Sequence, residues 1–562
     1  LVVEGVDAGT TVGSQSRAAA ASGLLAFPAA ASNALVVSAR KSASGHPLAV
    51  FGPQVGYFVP QDLMEQDVHA PGIDARGVAF PGTNLYVQIG HGRDYAWSAT
   101  SAGQDVVDTF AVDLCQPDGS PPSLQSMSYM FRGQCLPMEV LRQTNSWSPT
   151  PADSTPAGTQ TLEAQRTKLG LVAARGTVRG QPVAFVKLRS TYFHEADSAG
   201  GFSDLNNPDR VHGPADFQAA AARINFTFNW FYVDDRDVAY FNSGANPVRA
   251  LNLDPLLPTR GAFEWRNWNP DTWTSDVTPD SEHPQVVNQA WLTSWNNRQA
   301  PGYAGALPNV FGPVYRSDML DQRVGAATAG SRTMTLPQLV GAMEDAATVD
   351  LRGARILPWV LAVLGRPRDP RVVPAIDLLR QWVRAGAHRL DGDGDGAYDQ
   401  AAAVELMDAW WPRLLQAEFG PTMGGTLFAE LGRVVPFDNP PNNGGEHLGS
   451  AYQAGWYGYA SKDLRTILRR RVRGRYARAF CGGGELMRCR RALTESLRAA
   501  LRVDPGTVYH DDVCAGAGRD GSQPCYDSLW FRPTGAVTFP LIPWQNRPTY
   551  QQAVEVQGHR PR

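Results

Sequence analysis

AAASNALVVSARKSASGHPLAVFGPQVGYFVP, residues 29–60, is the stretch on which the reading of this chain turns. Ser32 opens a β-branched strand (Ala34, Leu35, Val36, Val37) behind three small residues, Ala29, Ala30 and Ala31, that leave the preceding peptide bond accessible. A cut before Ser32 would give one residue both a hydroxyl nucleophile and a free α-amine. That amine has a pKa of roughly 7.7–8.0, so near neutrality much of it can accept the serine proton. A nucleophile served by its own amine needs no separate histidine. Two plainer readings compete. Arg17, an apolar stretch and the three alanines imitate a signal peptide, but Glu4 and Asp7 precede Arg17 and Pro28 breaks the apolar part. Otherwise Ser32 is simply the first residue of a strand.

Outward from this stretch, LVVSA, PLAVFG, NLYVQIG and YAWSAT alternate apolar and polar residues between Gly/Pro breaks, the pattern of antiparallel sheet. Residues 145–160, rich in Ser, Thr and Pro, read as an exposed loop. Strands return at 183–188 and across 225–242, with the turn at Asp234–Asp237. From Pro337 the period shifts towards 3.6, predicting a mainly helical 337–431, then helices at 461–479 and 491–502. Val537–Trp544 reads as a final strand. Strands first and helices inserted predict an α+β layered fold.

The chain has 562 residues, 43% of them hydrophobic, enough for a large core. A net charge of −3 marks no nucleic-acid or membrane surface, so neither is an expected partner. ILPWVLAVL (356–364), the longest conspicuous apolar run, is half the length of a membrane span and reads as a buried helix or strand. The arginine-rich stretch from Arg465 to Arg502 carries no aromatic stacking platform and reads as a solvated helical face. The cysteines form near-neighbour couples, Cys115/Cys135, Cys481/Cys489 and Cys514/Cys525, none at a metal-binding spacing. Three short disulfide loops and a secreted or periplasmic location are expected; buried free thiols are the alternative.

From Ser32 onward the chain resembles the penicillin acylase family of N-terminal nucleophile hydrolases. The resemblance is carried, in the family's order, by SNALVVS (32–38), FGPQVGYFVP (51–60), HAPGIDARG with FPG (69–77, 80–82) and YAWSATSAGQDVVDTF (95–110). NFTFNWFYVDD with FNSG (225–235, 241–244), LDPLLPTRG (253–261) and SWNN (294–297) follow. It implies a four-layer αββα sandwich and a precursor that cleaves itself into a shorter α piece and a longer β piece. Residues 1–31 would then be the α tail or spacer and 32–562 the catalytic β piece, with 337–502 its mainly helical part. The rest of the α piece becomes an expected partner. The same resemblance implies Ser32 as nucleophile and base, and an oxyanion hole from the Asn296 side-chain amide and the Ser101 backbone N–H. Gln54 would hold the substrate amide through its main chain, Asn33 would orient the serine, and Arg316 would position Asn296. Pro53, Val55 and Ile89 fall at the substrate pocket, where Val55 and Ile89 are aliphatic in place of the aromatic walls of benzyl-selecting members.

Calcium is the expected cofactor. The resemblance implies a site of Asp105, Asp108 and the Val107 and Pro255 carbonyls, although Asn309 stands where the family carries another Asp. Independently, DGDGDGAYD sets Asp391, Asp393, Asp395 and Asp399 at positions 1, 3, 5 and 9 of an EF-hand-like loop, with Ala402 where the bidentate Glu belongs. The expected function is a secreted, self-processing amidohydrolase that removes an acyl side chain from an amide such as a penicillin or related β-lactam. Acylated homoserine lactones or lipopeptides are the alternative substrates, and a non-catalytic calcium-stabilised binding protein is the alternative class. No GxSxG elbow occurs, which counts against a Ser-His-Asp hydrolase.

Overall fold

The computed structural model describes residues 11–12, 31–55, 57, 61–82, 85–151, 154–303, 305, 315–439, 447–452, 455–529, 542 and 549–558. The serine strand, Ala31–Val37, lies at the centre of a four-stranded sheet. It pairs antiparallel with Leu48–Gln54 on one side and Trp291–Ser294 on the other, and Gln552–Glu555 completes the far edge of Leu48–Gln54. A seven-stranded sheet faces it, running in order through 285–287, 238–242, 228–233, 96–101, 89–91, 73–79 and 64–70.

Side chains alternate across each strand, and that alternation sets the layers. Ala34, Val36, Ala49 and Phe51 meet Ala96, Phe231, Val233, Val238 and Tyr240 between the two sheets. Leu35, Val37, Leu48 and Val50 turn the other way, into the large helical core with Leu320, Leu339 and Met343. On the outer face of the seven-stranded sheet, Trp97, Trp230 and Tyr232 pack under Phe217 and Leu205, carried by helices Pro214–Ala222 and Ala199–Leu205. Helix, sheet, sheet, helix is the expected αββα order.

A nine-stranded sheet takes in both ends of the stretch 145–160 expected as loop. Strands Glu139–Trp147 and Gly158–Thr167 form a long hairpin, which shortens the expected 145–160 loop to its tip. Its Ser and Thr residues are cross-strand partners: Thr144 bonds Thr161 at 2.9 Å and Ser146 bonds Thr159 at 3.0 Å. The expected helix 461–479 is shorter, Tyr457–Ile467, because the arginine run that follows crowds like charges and Arg469 turns left-handed at φ 54°. Residues 357–364 form a buried helix, and all three expected disulfides are present. Among the described residues no helix is long and apolar enough to cross a membrane. Of the expected strand Val537–Trp544 only Ile542 is described, in an antiparallel bridge to Leu529, and nearly all of residues 1–31 lie outside the described residues.

Candidate active site

Ser32 is the second residue of its strand and only 8% exposed. Alternation with Ala34 and Val36 turns its side chain into the space between the sheets, opposite Pro53 in the neighbouring strand. Its backbone nitrogen donates to Asn296 Oδ1 at 2.7 Å, across a sequence separation of 264 residues. Asn296 follows the end of strand Trp291–Ser294 in a left-handed conformation, φ 60°, which asparagine tolerates better than most side chains. Its Nδ2 donates to the Ser101 carbonyl at 3.0 Å and its backbone N–H to Ser294 Oγ at 3.3 Å. A side-chain amide carries two N–H donors, so one is committed to Ser101 and a second is available to a ligand. Ser101 ends its own strand, where the next residue, Ala102, donates to Thr227 O at 3.1 Å. Antiparallel alternation therefore turns the Ser101 N–H away from that neighbour, to the side on which its carbonyl meets Asn296. The fold thus brings together Ser32, Asn296 and Ser101 from three distant motifs.

Arg316 acts elsewhere than expected. It opens helix Arg316–Ala327 and is 1% exposed, with Nη2 donating to Gln54 Oε1 at 2.7 Å and Nη1 to the Tyr452 carbonyl at 2.7 Å. Its guanidinium lies 5.0 Å over the Trp295 ring, and Trp295 Nε1 also donates to Gln54 Oε1, at 3.2 Å. The arginine therefore pins Gln54 and the residue before Asn296, and makes no bond to Asn296 itself. Burial pulls its pKa down to about 9, still charged at neutral pH. Asn33 is likewise displaced from its expected role: it faces the helical layer, away from the Ser32 side chain, because neighbouring strand residues alternate. Among the described residues its buried side-chain amide finds no hydrogen-bond partner. Trp295, inside SWNN, carries no local sequence signal of its role, because its partner Gln54 is 241 residues away.

Pro53 is buried and Val55 half-buried beside the serine strand. Ile89 is half-buried on the strand Ile89–His91, which pairs with the Ser101 strand; its neighbour Gly90 lies opposite outward-facing Trp97, so Ile89 faces inward. Ile89 therefore faces the inter-sheet layer from the sheet opposite Pro53 and Val55.

The Asp105–Asp108 calcium site does not fit the residues present. Arg249 occupies the place between the carboxylates: Nε donates to Asp108 Oδ2 at 2.8 Å and Nη2 to Asp108 Oδ1 at 2.9 Å. The same Nη2 stands 3.0 Å from Asp105 Oδ2 and donates to the Asp105 carbonyl at 2.9 Å. Trp265 Nε1 takes Asp108 Oδ2 as well, at 2.6 Å. With a guanidinium seated there, a divalent cation meets like charge and an Asp108 carboxylate already bonded, so the residues present fit an arginine rather than the calcium expected at Asp105, Val107, Asp108 and Pro255. Pro255 lines a cavity alongside, with Arg249. The Asp391–Asp399 loop differs. Asp391, Asp393 and Asp395 can bring one carboxylate oxygen each within 4.8 Å of the others, and Asp391 accepts the Gly394, Asp395 and Gly396 N–H groups. Asp399 stands apart from the three, accepting the Gly392 N–H at 3.0 Å.

Two facing antiparallel sheets between helical layers, with a serine at the head of a central strand, define the architecture of an N-terminal nucleophile hydrolase. The family model for penicillin amidase matches residues 7–504, and the chain belongs to that family. A penicillin G acylase of Escherichia coli is 24% identical over 416 residues, which is 72% of this chain and 44% of the relative's length. The chain therefore spans less than half of the curated relative it matches. A solved thermostable penicillin G acylase from Alcaligenes faecalis superimposes with a TM-score of 0.64 at 17% identity, covering 93% of this chain and 88% of that one.

Proposed function

We propose that this chain is the catalytic part of an amidohydrolase that removes an acyl side chain from an amide, such as a penicillin or a related β-lactam, through an acyl-enzyme on Ser32. The observation that carries the reading is the 2.7 Å bond from the Ser32 nitrogen to Asn296 Oδ1. Once the Ala31–Ser32 bond is cut, that nitrogen is an amine whose N–H is held by Asn296, leaving its lone pair for the serine hydroxyl. The amine takes the Oγ proton as Oγ attacks the amide carbonyl. Negative charge on the carbonyl oxygen meets the second Asn296 N–H and the Ser101 N–H. The proton passes to the leaving nitrogen as the C–N bond breaks, and water attacks the ester by the same route in reverse. Gln54, pinned by Arg316, fixes the strand end along which the substrate amide lies.

The bond before Ser32 is cut by the serine itself in this reading, and the α piece that precedes it completes the pocket. The three disulfides support export to an oxidising compartment. Calcium belongs in the Asp391–Asp395 cluster, with Asp399 as a further ligand, where carboxylates suit a hard cation. Val55 and Ile89 favour linear or phenoxy-type acyl groups, and acylated homoserine lactones or lipopeptides are the alternative substrates by the same mechanism. Aliphatic walls forgo edge-to-face partners worth about 0.5–1.5 kcal/mol to a phenyl ring but keep about 0.8 kcal/mol per buried methylene. The test is the full-length protein carrying this chain, wild type against Ser32→Ala. Mass spectrometry is expected to find an N-terminus at Ser32 in wild type and none in the variant. With one amine leaving group, kcat/KM is expected to rise with pH through the amine pKa and to favour alkyl or phenoxyacetyl over phenylacetyl chains. Processing of Ser32→Ala at the wild-type rate would overturn self-cleavage, and a sharp phenylacetyl optimum would overturn the acyl preference.

A further inference from the structure

Thr100, Asn229 and Asn242 stand side by side on three paired strands, at 0%, 2% and 0% exposure. Further along the same sheet face come Phe231 with Tyr240, then Ala96, Val233 and Val238, so a row of amides heads an otherwise mainly apolar layer. Buried amides are costly unless every polar atom is met, and here Asn229 is met on all sides. Its Oδ1 accepts the Tyr240 hydroxyl at 2.8 Å and Asn242 Nδ2 at 3.1 Å. Its Nδ2 donates to Thr100 Oγ1 at 3.1 Å and reaches the Ser101 carbonyl at 3.4 Å. Gln104 Nε2 donates in turn to Asn242 Oδ1, and Thr100 Oγ1 meets Ser294 Oγ at 2.8 Å. Ser294 Oγ is the acceptor of the Asn296 backbone N–H. Asn229 from one sheet and Asn296 from beside the other therefore converge on a single carbonyl, that of Ser101.

We propose that Asn229 is a positioning residue for the oxyanion donor, a role that rests on Asn296 being that donor. The Ser101 carbonyl sets the rotation of the Asn296 amide about its last torsion, a broad and weakly restrained one. Asn229, itself clamped by Tyr240 and Asn242, holds that carbonyl and the adjoining Thr100 in place. A cavity of about 560 Å³, lined by Asn229, Tyr240, Ser294, Asn297 and Gln299 among others, lies alongside. Loss of the Asn229 donor admits water to the carbonyl and leaves the Asn296 amide fixed chiefly by its bond to the Ser32 nitrogen.

Asn229→Asp keeps the acceptor for Tyr240 and Asn242 but removes the donor; Asn229→Leu removes both; Tyr240→Phe removes only the hydroxyl that clamps Asn229. The variants are made in the full-length protein and assayed on phenylacetyl-4-nitroanilide and hexanoyl-4-nitroanilide, with melting temperature measured in parallel. Expected for both Asn229 variants is a kcat at least tenfold lower with KM within twofold of wild type, and about threefold lower kcat for Tyr240→Phe. Wild-type kcat in Asn229→Asp, or a loss that follows KM or melting temperature alone, overturns the positioning role. Should both Asn229 variants fail to fold, an unchanged kcat in Tyr240→Phe overturns it. A wild-type protein inactive on both anilides overturns the amidase reading itself, and this role with it.

Discussion

Asn296 concentrates three bonds on one residue: its Oδ1 holds the Ser32 nitrogen, its Nδ2 the Ser101 carbonyl and its backbone N–H the Ser294 hydroxyl. Its left-handed backbone stores strain of the kind found where surrounding structure over-determines a functional side chain. Asn296→Gly relieves that strain while deleting the amide, so it separates the two contributions. We expect kcat to fall about 10²–10³-fold in both Asn296→Gly and Asn296→Ala, the range for losing one oxyanion donor. Near-wild-type turnover in the glycine variant would show that backbone shape rather than the amide matters. Ser32, Gln54 and Asn296 were legible in the sequence because each sits in a short block whose order is kept along the chain. The partner of Arg316 was not, since a buried arginine can reach any acceptor on the layers around it, and here it reaches Gln54 and Tyr452.

At the scale of elements, the turn from Ser101 to strand Val107–Cys115 shows how buried carboxylates recruit a distant arginine. Asp105 sits in that turn and Asp108 near the head of the strand, at 3% and 6% exposure, and Arg249 arrives from a segment 141 residues beyond Asp108 to pair with both. Breaking a buried pair by removing one partner costs about 3–5 kcal/mol, because charge is left uncompensated. Arg249→Met is therefore expected to lower stability by about that amount in urea denaturation, and millimolar calcium is expected to restore part of the loss by taking the vacated place. An unchanged denaturation midpoint would remove Arg249 from this role. The carboxylates were legible in QDVVD; their partner was not, because nothing in the spacing of NPVRALNLD marks Arg249 as their cation.

Over the whole molecule, the helical layer is tied together by buried charge. Arg352 and Arg389, at 1% exposure each, share Asp350 and Asp408 and reach Asp438 and Asp527. A second buried site joins helix Ala401–Met423 to the segment stapled by Cys481–Cys489. Asp463 accepts the Phe480 and Cys481 N–H groups at 2.8 Å each, and Glu418 lies fully buried beside it. Burial first, and then the Asp463 charge, raise the Glu418 pKa well above its usual 4.5. A carboxyl whose folded pKa is raised contributes its full stability below the unfolded value, and that contribution is lost as pH climbs through the folded value. Glu418→Gln keeps a donor for Asp463 and cannot ionise. It is expected to leave the melting temperature near wild type at pH 4.5 and to raise it above wild type at pH 9. Parallel melting curves at the two pH values check this, and equal wild-type and variant temperatures at pH 9 would contradict it.

The sequence by itself determined the alternation that makes the strands, the three local disulfides, the helical character after Pro337 and the residues that head the serine strand. These are set by short-range periodicity or by near neighbours along the chain. Tertiary structure decided which strands lie together, as when Gln552–Glu555 closes a sheet begun some 500 residues earlier. It also decided that Arg316 clasps Gln54, that Arg249 pairs with Asp105 and Asp108, and that Asn229 and Asn296 share one carbonyl. The physical reason is the same in each case: a buried polar group must find a partner wherever the layers bring one, and sequence spacing does not record distance across a sheet.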